Sequence, residues 1–176
     1  MFNNFKYTDT EVKQILKAMV IIVDTREKEN SHITEYFQKR GIAYISQGLS
    51  FGDYGYMVPA SPEHGIYRDM YFINDIVVER KASLEELSGN LAQHRDRFEN
   101  EFLRAGKCAV TLLIERGSYS DIINHRYNTE LKGAAFMASL LAWEQRHGIK
   151  TVFVDREHAG QFIYSRFYYH LRELLK

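Results

Sequence analysis

The sequence predicts an α/β fold, a central mixed β-sheet flanked by helices, and two observations carry that expectation. Continuous apolar runs, Val20-Ile21-Ile22-Val23 and Ala109-Val110-Thr111-Leu112-Leu113-Ile114, have the length and β-branched content of strands buried on both faces. Between such runs lie segments with helical spacing of apolar residues and recognisable caps, so strands and helices alternate along the chain.

Thr8 to Met19 reads as a short helix, with Thr8, Asp9 or Thr10 as its cap and Val12, Ile15, Leu16 and Met19 at helical spacing. The Val20–Val23 strand follows and ends at Asp24-Thr25-Arg26-Glu27. Asn30 or Ser31 caps a helix through Arg40, closed by Gly41. Ile42 to Ile45 and Leu49 to Val58 read as adjacent strands joined as a hairpin around Gly48. Phe51-Gly52-Asp53-Tyr54 lies inside the second of them; a Gly ahead of an Asp in a strand marks a bulge or a close backbone approach.

Pro59 to Arg68 contains both prolines and reads as a loop, after which Met70 to Val78 forms a strand delivering Glu79, Arg80 and Lys81. Ser83 and Glu86 have capping-box spacing and open one long helix that runs to about Ala105 and stops at Gly106. Its polar part contains His94, Arg95, Arg97 and Arg104, solvated stems in an ordinary helix but suited to phosphates beside a carboxylate cluster. Lys107 to Glu115 is another central strand, its terminal Glu115-Arg116 reading as a surface ion pair. Ser118 or Ser120 caps a short helix through Asn124, His125 to Thr129 is loop, and Glu130 to His147 is an amphipathic helix stopped by Gly148. Thr151 to Val154 is the last strand and Arg156 to Lys176 the last helix. Phe162, Tyr164, Phe167, Tyr168 and Tyr169 make that helix apolar around more than one face, which suits a second buried contact, with itself in a homodimer or with a protein partner.

At 176 residues the chain fits a single domain, 1–176, with a core of about 20–154. Its 23 Lys and Arg balance its 23 Asp and Glu, which argues against a nonspecific nucleic-acid coat. An enzyme with an acidic metal site beside a basic groove would also sum to zero. The single Cys108 excludes an intramolecular disulfide, and neither a signal peptide nor a membrane-spanning apolar run is present. The expected setting is intracellular, with no membrane partner.

Three charges in a row after Val77-Val78 stand out, because a buried strand seldom ends on Glu79-Arg80-Lys81. Side chains at i and i+2 of a strand share a face about 7 Å apart, so Glu79 and Lys81 point together. Such a pair is a common surface salt bridge. On a rigid strand it also suits metal-assisted hydrolysis, the carboxylate holding a divalent cation and the ammonium steadying a water or developing charge. Asp24 adds weight, since ligands of α/β sheets bind at the carboxyl ends of strands.

Asp53 at a bent strand followed by Glu79-x-Lys81 is similar to the site of restriction-endonuclease-like nucleases. With Asp24-Thr25-Arg26-Glu27, Gly52-Asp53-Tyr54 and Glu79-Arg80-Lys81 in this order, the chain resembles the nuclease domain of the XPF family of structure-specific DNA endonucleases. The likeness covers about Val20 to Val154 and continues more loosely through Glu85-Glu86-Leu87-Ser88, Arg97 with Glu101, and Leu112-Leu113-Ile114-Glu115. Three departures bear on substrate choice: a longer loop between Asp53 and Glu79, Glu85 or Glu86 in place of the usual Asp, and Glu101 in place of Gln.

The resemblance implies a restriction-endonuclease-like fold and Mg²⁺- or Mn²⁺-dependent cleavage of flapped, forked or otherwise branched DNA in repair or recombination. Asp24, Asp53 and Glu79 would be metal ligands, with Asp53 and Glu79 the strongest candidates. Lys81 would position the water or stabilise the pentavalent phosphate. Arg26 and Arg80 would grip phosphate or hold the acidic groups in place, and Arg95 and Arg97 would contact the DNA backbone. A nickase, a Holliday-junction resolvase, a host-DNA-degrading enzyme and a catalytically silent DNA- or partner-binding module are the alternatives. Without the helix-hairpin-helix or helicase-like regions usual in the family, the expectation is a stand-alone nuclease module, cytoplasmic in a bacterial or phage setting.

Overall fold

The computed structural model describes residues 6–176. Helix α1 (Asp9–Lys17) opens at a capping box, in which the Thr8 hydroxyl accepts from the Glu11 N–H and the Glu11 carboxylate accepts from the Thr8 N–H at 2.7 Å. Strand β1 (Val20–Val23) follows, then α2 (Ser31–Arg40), closed by Gly41 at φ +64°. The chain continues through β2 (Tyr44–Ser46), β3 (Tyr54–Val58), β4 (Met70–Tyr71), β5 (Ile76–Lys81), α3 (Leu84–Ala92) and α4 (Arg95–Ala105). It closes with β6 (Ala109–Ile114), α5 (Tyr119–Ile123), α6 (Gly133–His147), β7 (Lys150–Phe153) and α7 (Ala159–Leu174).

The strands form one mixed sheet in the order β2-β1-β3-β5-β6-β7, with β4 paired to β3, so the architecture is the α/β sheet flanked by helices that the sequence predicts. β1 and β2 are parallel, as are β5, β6 and β7, while β3 runs antiparallel to both β1 and β5. Strand alternation divides the core in two. On one face Ile21, Tyr54, Tyr56, Ile76 and Val78 pack against Leu16 of α1, Ile33 and Phe37 of α2, and Ile163, Phe167 and Leu171 of α7. On the other, Val77, Leu112 and Ile114 pack against Leu87 of α3, Phe98 and Phe102 of α4, and Phe136 and Trp143 of α6. The β1–β3 end of the sheet carries a separate small cluster, Ile22, Leu49 and Met57.

Four elements differ from the sequence reading. Residues 42–58 do not form a hairpin: β2 pairs parallel to β1 because α2 between them makes a crossover connection. Residues 47–53 then cross back as a loop, so β3 starts only at Tyr54. The strand expected over Met70–Val78 breaks at a turn where the Asp75 and Ile76 N–H groups both donate to the Phe72 carbonyl, seating Phe72 against Tyr56 with ring centroids 4.7 Å apart. The long helix is two helices. Gly89 and Asn90, weak helix formers, lie in the last turn of α3, and the Gln93 and His94 N–H groups both close on the Gly89 carbonyl before the chain restarts as α4. The restart points Phe98 and Phe102 at Trp143, with centroids 5.2 and 5.6 Å away. Finally, α6 begins at Gly133 rather than Glu130, because Thr129 and Asn128 are held to α3 by Ser88 and Glu85.

Phe167 of α7 is fully buried against Tyr56 of β3, and Phe167→Ala is expected to destabilise the fold by about 3–5 kcal/mol through lost burial and a residual cavity. Urea unfolding followed by far-UV circular dichroism measures the loss.

Candidate active site

The alternation of β5 separates its three charges. Glu79 and Lys81 face the α3–α4 layer with Val77, while Arg80 faces α2 with Val78, and all three are buried. The Lys81 ammonium donates to Glu79 Oε1 at 2.8 Å, lies 3.5 Å from Glu86 Oε1 and sits 4.5 Å above the centre of the Phe98 ring. The Ser83 hydroxyl caps α3 through the Glu86 N–H, while Glu86 turns its carboxylate to the Ala82 N–H at 2.8 Å and to Lys81.

Asp53 is held by backbone on both sides. Its N–H donates to the Val78 carbonyl at 2.9 Å, its own carbonyl accepts from the Asp24 N–H at 2.8 Å, and its carboxylate accepts from the Arg80 N–H at 2.7 Å. Gly52 makes this possible: it has φ +74°, and a Cβ there would meet the Val77 Cβ at 2.9 Å. This is the close backbone approach that a Gly before an Asp suggests. Asp53, Glu79 and Lys81 together line a cavity of about 260 Å³. Arg26 and Gly52 also line it, as do His94, Arg97, Glu101 and Arg104, spaced along one face at the start of and within α4.

The remaining sequence candidates lie elsewhere. Asp24 is buried and its carboxylate is already occupied, accepting from the Arg26 N–H at 2.7 Å, from Arg26 Nε and Nη2 at 2.8 and 3.1 Å, and from the Leu49 N–H at 2.6 Å. It clamps Arg26, whose side chain is 65% exposed and reaches the cavity. Arg80 sits across the sheet. Its Nε and Nη2 donate to the two oxygens of Glu115 at 2.9 Å each and its Nη1 to Glu27 at 2.9 Å. Arg95 points away from the cavity, donating to Ser139 at 3.1 Å with its guanidinium 5.6 Å from the centre of Trp143. Sequence reasoning missed Glu115, which reads as a surface ion pair but is fully buried and also lies 2.8 Å from His32 Nε2. Its signal is its place directly after an apolar strand, the same signal that marks Glu79. Glu101 was also missed as a cavity residue, although 94, 97, 101 and 104 share one helical stripe.

Burial raises the Asp53 pKa well above the ordinary aspartate value, with repulsion from Glu79 adding to it and the Arg80 N–H opposing it. Burial likewise raises Glu79, despite the nearby Lys81. For Lys81 burial opposes the charge, but Glu79, Glu86 and Asp53 outweigh it and hold the ammonium above the usual lysine value. Asp24 and Glu115 shift the other way, because the hydrogen bonds and charge of their arginines overcome burial. Among the described residues, no three carboxylate, imidazole or thiol groups converge at ligand spacing. Asp53 and Glu79 do fit a hard divalent cation, since both are desolvated carboxylates that repel one another and such an ion would compensate their charge.

A mixed α/β sheet with a Glu-x-Lys pair and an aspartate meeting in a cavity at a strand end defines a fold of the nuclease type. Residues 23–165 match the family model of the ERCC4 domain, and the chain belongs to that family of nucleases. Among solved structures, XPF from Aeropyrum pernix superposes with a TM-score of 0.61 at 21% identity, covering 86% of this chain and 61% of that one. The complex of the same protein with DNA superposes with a TM-score of 0.60 at 21% identity, covering 88% and 64%. This chain therefore spans less than two thirds of the length of either of these two structures. No curated protein sequence matches it. Among the described residues, no helix is long and apolar enough to cross a membrane.

The raised pKa values of Asp53 and Glu79 set the sign of a pH effect. Their contribution to stability is complete below the ordinary carboxylate range and is lost as pH rises through the raised values, whereas that of Asp24 and Glu115 is lost as pH falls. In the absence of divalent ions, Asp53→Asn is thus expected to raise the melting temperature at neutral pH and flatten its decline toward alkaline pH. Thermal melts in a chelator across a pH series check this, and a variant melting below its parent at neutral pH contradicts it.

Proposed function

We propose that this chain is a divalent-metal-dependent DNA endonuclease that hydrolyses phosphodiester bonds in branched or flapped DNA. The observation that carries the proposal is the meeting of Asp53, Glu79 and Lys81 at one buried strand end beside a cavity. Asp53 and Glu79 would hold a Mg²⁺ or Mn²⁺ ion, which when bound supplies a polarised phosphate and a water of lowered pKa. Lys81, fixed by Glu79 and Phe98 and kept protonated, stabilises negative charge growing on the phosphate and restrains the attacking water. Arg26, pinned by Asp24 with its outer face exposed, and Arg97 from α4 hold flanking phosphate oxygens. Arg80 acts from behind the sheet, its N–H aiming Asp53 while its fork is fixed on Glu115 and Glu27. We assign Asp24 to the clamp on Arg26 rather than to the metal, because four donors already surround its carboxylate.

Branched DNA is favoured by membership of the ERCC4 family and by the likeness to XPF; a nickase, a resolvase of four-way junctions and a general DNA-degrading enzyme would share this chemistry. A panel of end-labelled duplex, nicked, flapped, forked and four-way DNAs with and without Mg²⁺ separates them. The expected result is Mg²⁺-dependent cleavage of branched substrates that Asp53→Asn, Glu79→Gln and Lys81→Ala each reduce at least about a hundredfold. Calorimetry should show Mg²⁺ binding to the parent and none to Glu79→Gln. Folded variants that cut as well as the parent would refute the site.

Self-association through α7 belongs to the same proposal. The inner face of that helix is spent on the core through Ile163, Phe167 and Leu171, yet Tyr169 and Leu174 remain 56% and 40% exposed. Sedimentation should find a dimer that Tyr169→Glu converts to monomer; a monomeric parent refutes this part alone.

A further inference from the structure

Hydrolysis of a phosphodiester leaves an oxyanion on the departing nucleoside, and the groups around the cavity differ in whether they can protonate it. Lys81 is bound tightly to its proton by its carboxylate neighbours. The guanidinium groups of Arg26, Arg97 and Arg104 do not give up protons in proteins. Asp53 and Glu79 are needed as carboxylates. Glu101 is engaged by the Arg104 guanidinium at 4.0 Å, which leaves His94, an exposed residue at the start of α4 that lines the cavity with them. Its imidazole does not cap α4, and among the described residues no hydrogen bond or ion pair occupies it. Imidazole is the side chain that exchanges protons near neutrality.

We infer that His94 is the general acid of the reaction, delivering a proton to the oxygen that leaves phosphorus; the inference rests on the nuclease reading above. In this step the oxygen of a water forms a bond to phosphorus. The bond from phosphorus to the leaving oxygen breaks, its electron pair stays on that oxygen, and the oxygen takes the proton of the imidazolium. The proton of the attacking water passes to solvent, and the neutral imidazole is reprotonated from solvent. The charged groups that share the cavity with His94 are Arg97, Glu101 and Arg104 on its own helix, Glu79 and Lys81 on β5, and Asp53 and Arg26.

The test compares the parent, His94→Ala and His94→Asn on two DNAs differing in one atom. In the second, sulfur replaces the bridging oxygen on the leaving side, which the product ends identify, and Mn²⁺ is the metal throughout. A thiolate leaves without a proton. The variants are expected to cut all-oxygen DNA about a hundredfold more slowly than the parent, to cut sulfur-bridged DNA at the parent's rate, and to lose the alkaline limb of the kcat against pH profile. Equal slowing on both DNAs, or no slowing on either, overturns the role of His94 while leaving the nuclease reading intact. A parent that cuts no DNA overturns that reading and this inference together. DNA binding measured in Ca²⁺ verifies that the variants are folded.

Discussion

Strand β5 carries three consecutive charges into the interior, and the period of two in a strand means that they cannot all face one way. Glu79 and Lys81 go to the cavity, whereas Arg80 goes to the opposite layer, where Glu115 and Glu27 neutralise it and satisfy its fork. The rest of the site hangs on that division. Arg80 with its guanidinium fixed behind the sheet presents a rigid backbone N–H to Asp53, and Asp53 in turn links β5 to the start of the Asp24 segment. A buried ion pair adds little to net stability, but losing one partner leaves an uncompensated charge, so the Arg80 network serves geometry more than stability.

The cavity side has the opposite balance. Asp53 and Glu79 are desolvated near one another, with the Arg80 N–H on Asp53 and the Lys81 ammonium on Glu79 as their opposing contacts, and they are pushed toward protonation. Such carboxylates represent stored unfavourable free energy that a bound cation can release, which is why they are poor structural residues and good ligands. Asp24 is the contrast within the same motif: its hydrogen bonds to Arg26 and Leu49 hold its carboxyl below the ordinary range. Two aspartates that look alike in the sequence are sorted by their partners into one that is restrained and one that is available.

Much of this was legible in the chain. The apolar runs named β1 and β6, Gly52 ahead of Asp53 signalled a bulge or a close backbone approach, which the structure resolves as an approach to Val77, and i, i+2 spacing placed Glu79 with Lys81. The helix stops at Gly41 and Gly148 were visible because a left-handed residue there favours glycine. The hairpin expected around Gly48 was wrong because two neighbouring strand-like segments do not reveal whether they pair with each other or with β1. The break between α3 and α4 was hidden, since helical periodicity survives across it and the packing of Phe98 and Phe102 on Trp143 decides the new direction.

By itself the sequence determined which residue types stand at the ends of buried strands, and hence the α/β class and the pairing of Glu79 with Lys81, while the grouping of Asp53 with them is what the family resemblance implies. Those properties are local, governed by periods of two and 3.6 residues and by the conformational freedom of glycine. Only the tertiary structure decided that Asp24 clamps Arg26, that Arg80 is bound to Glu115, that Arg95 lies against Trp143, and that His94, Glu101 and Arg104 join the cavity. The Arg80 and Arg95 contacts depend on partners far away in the chain, and the Asp24–Arg26 pair, although local, is fixed by the distant Leu49 N–H; burial and distance make these choices, which no local pattern encodes.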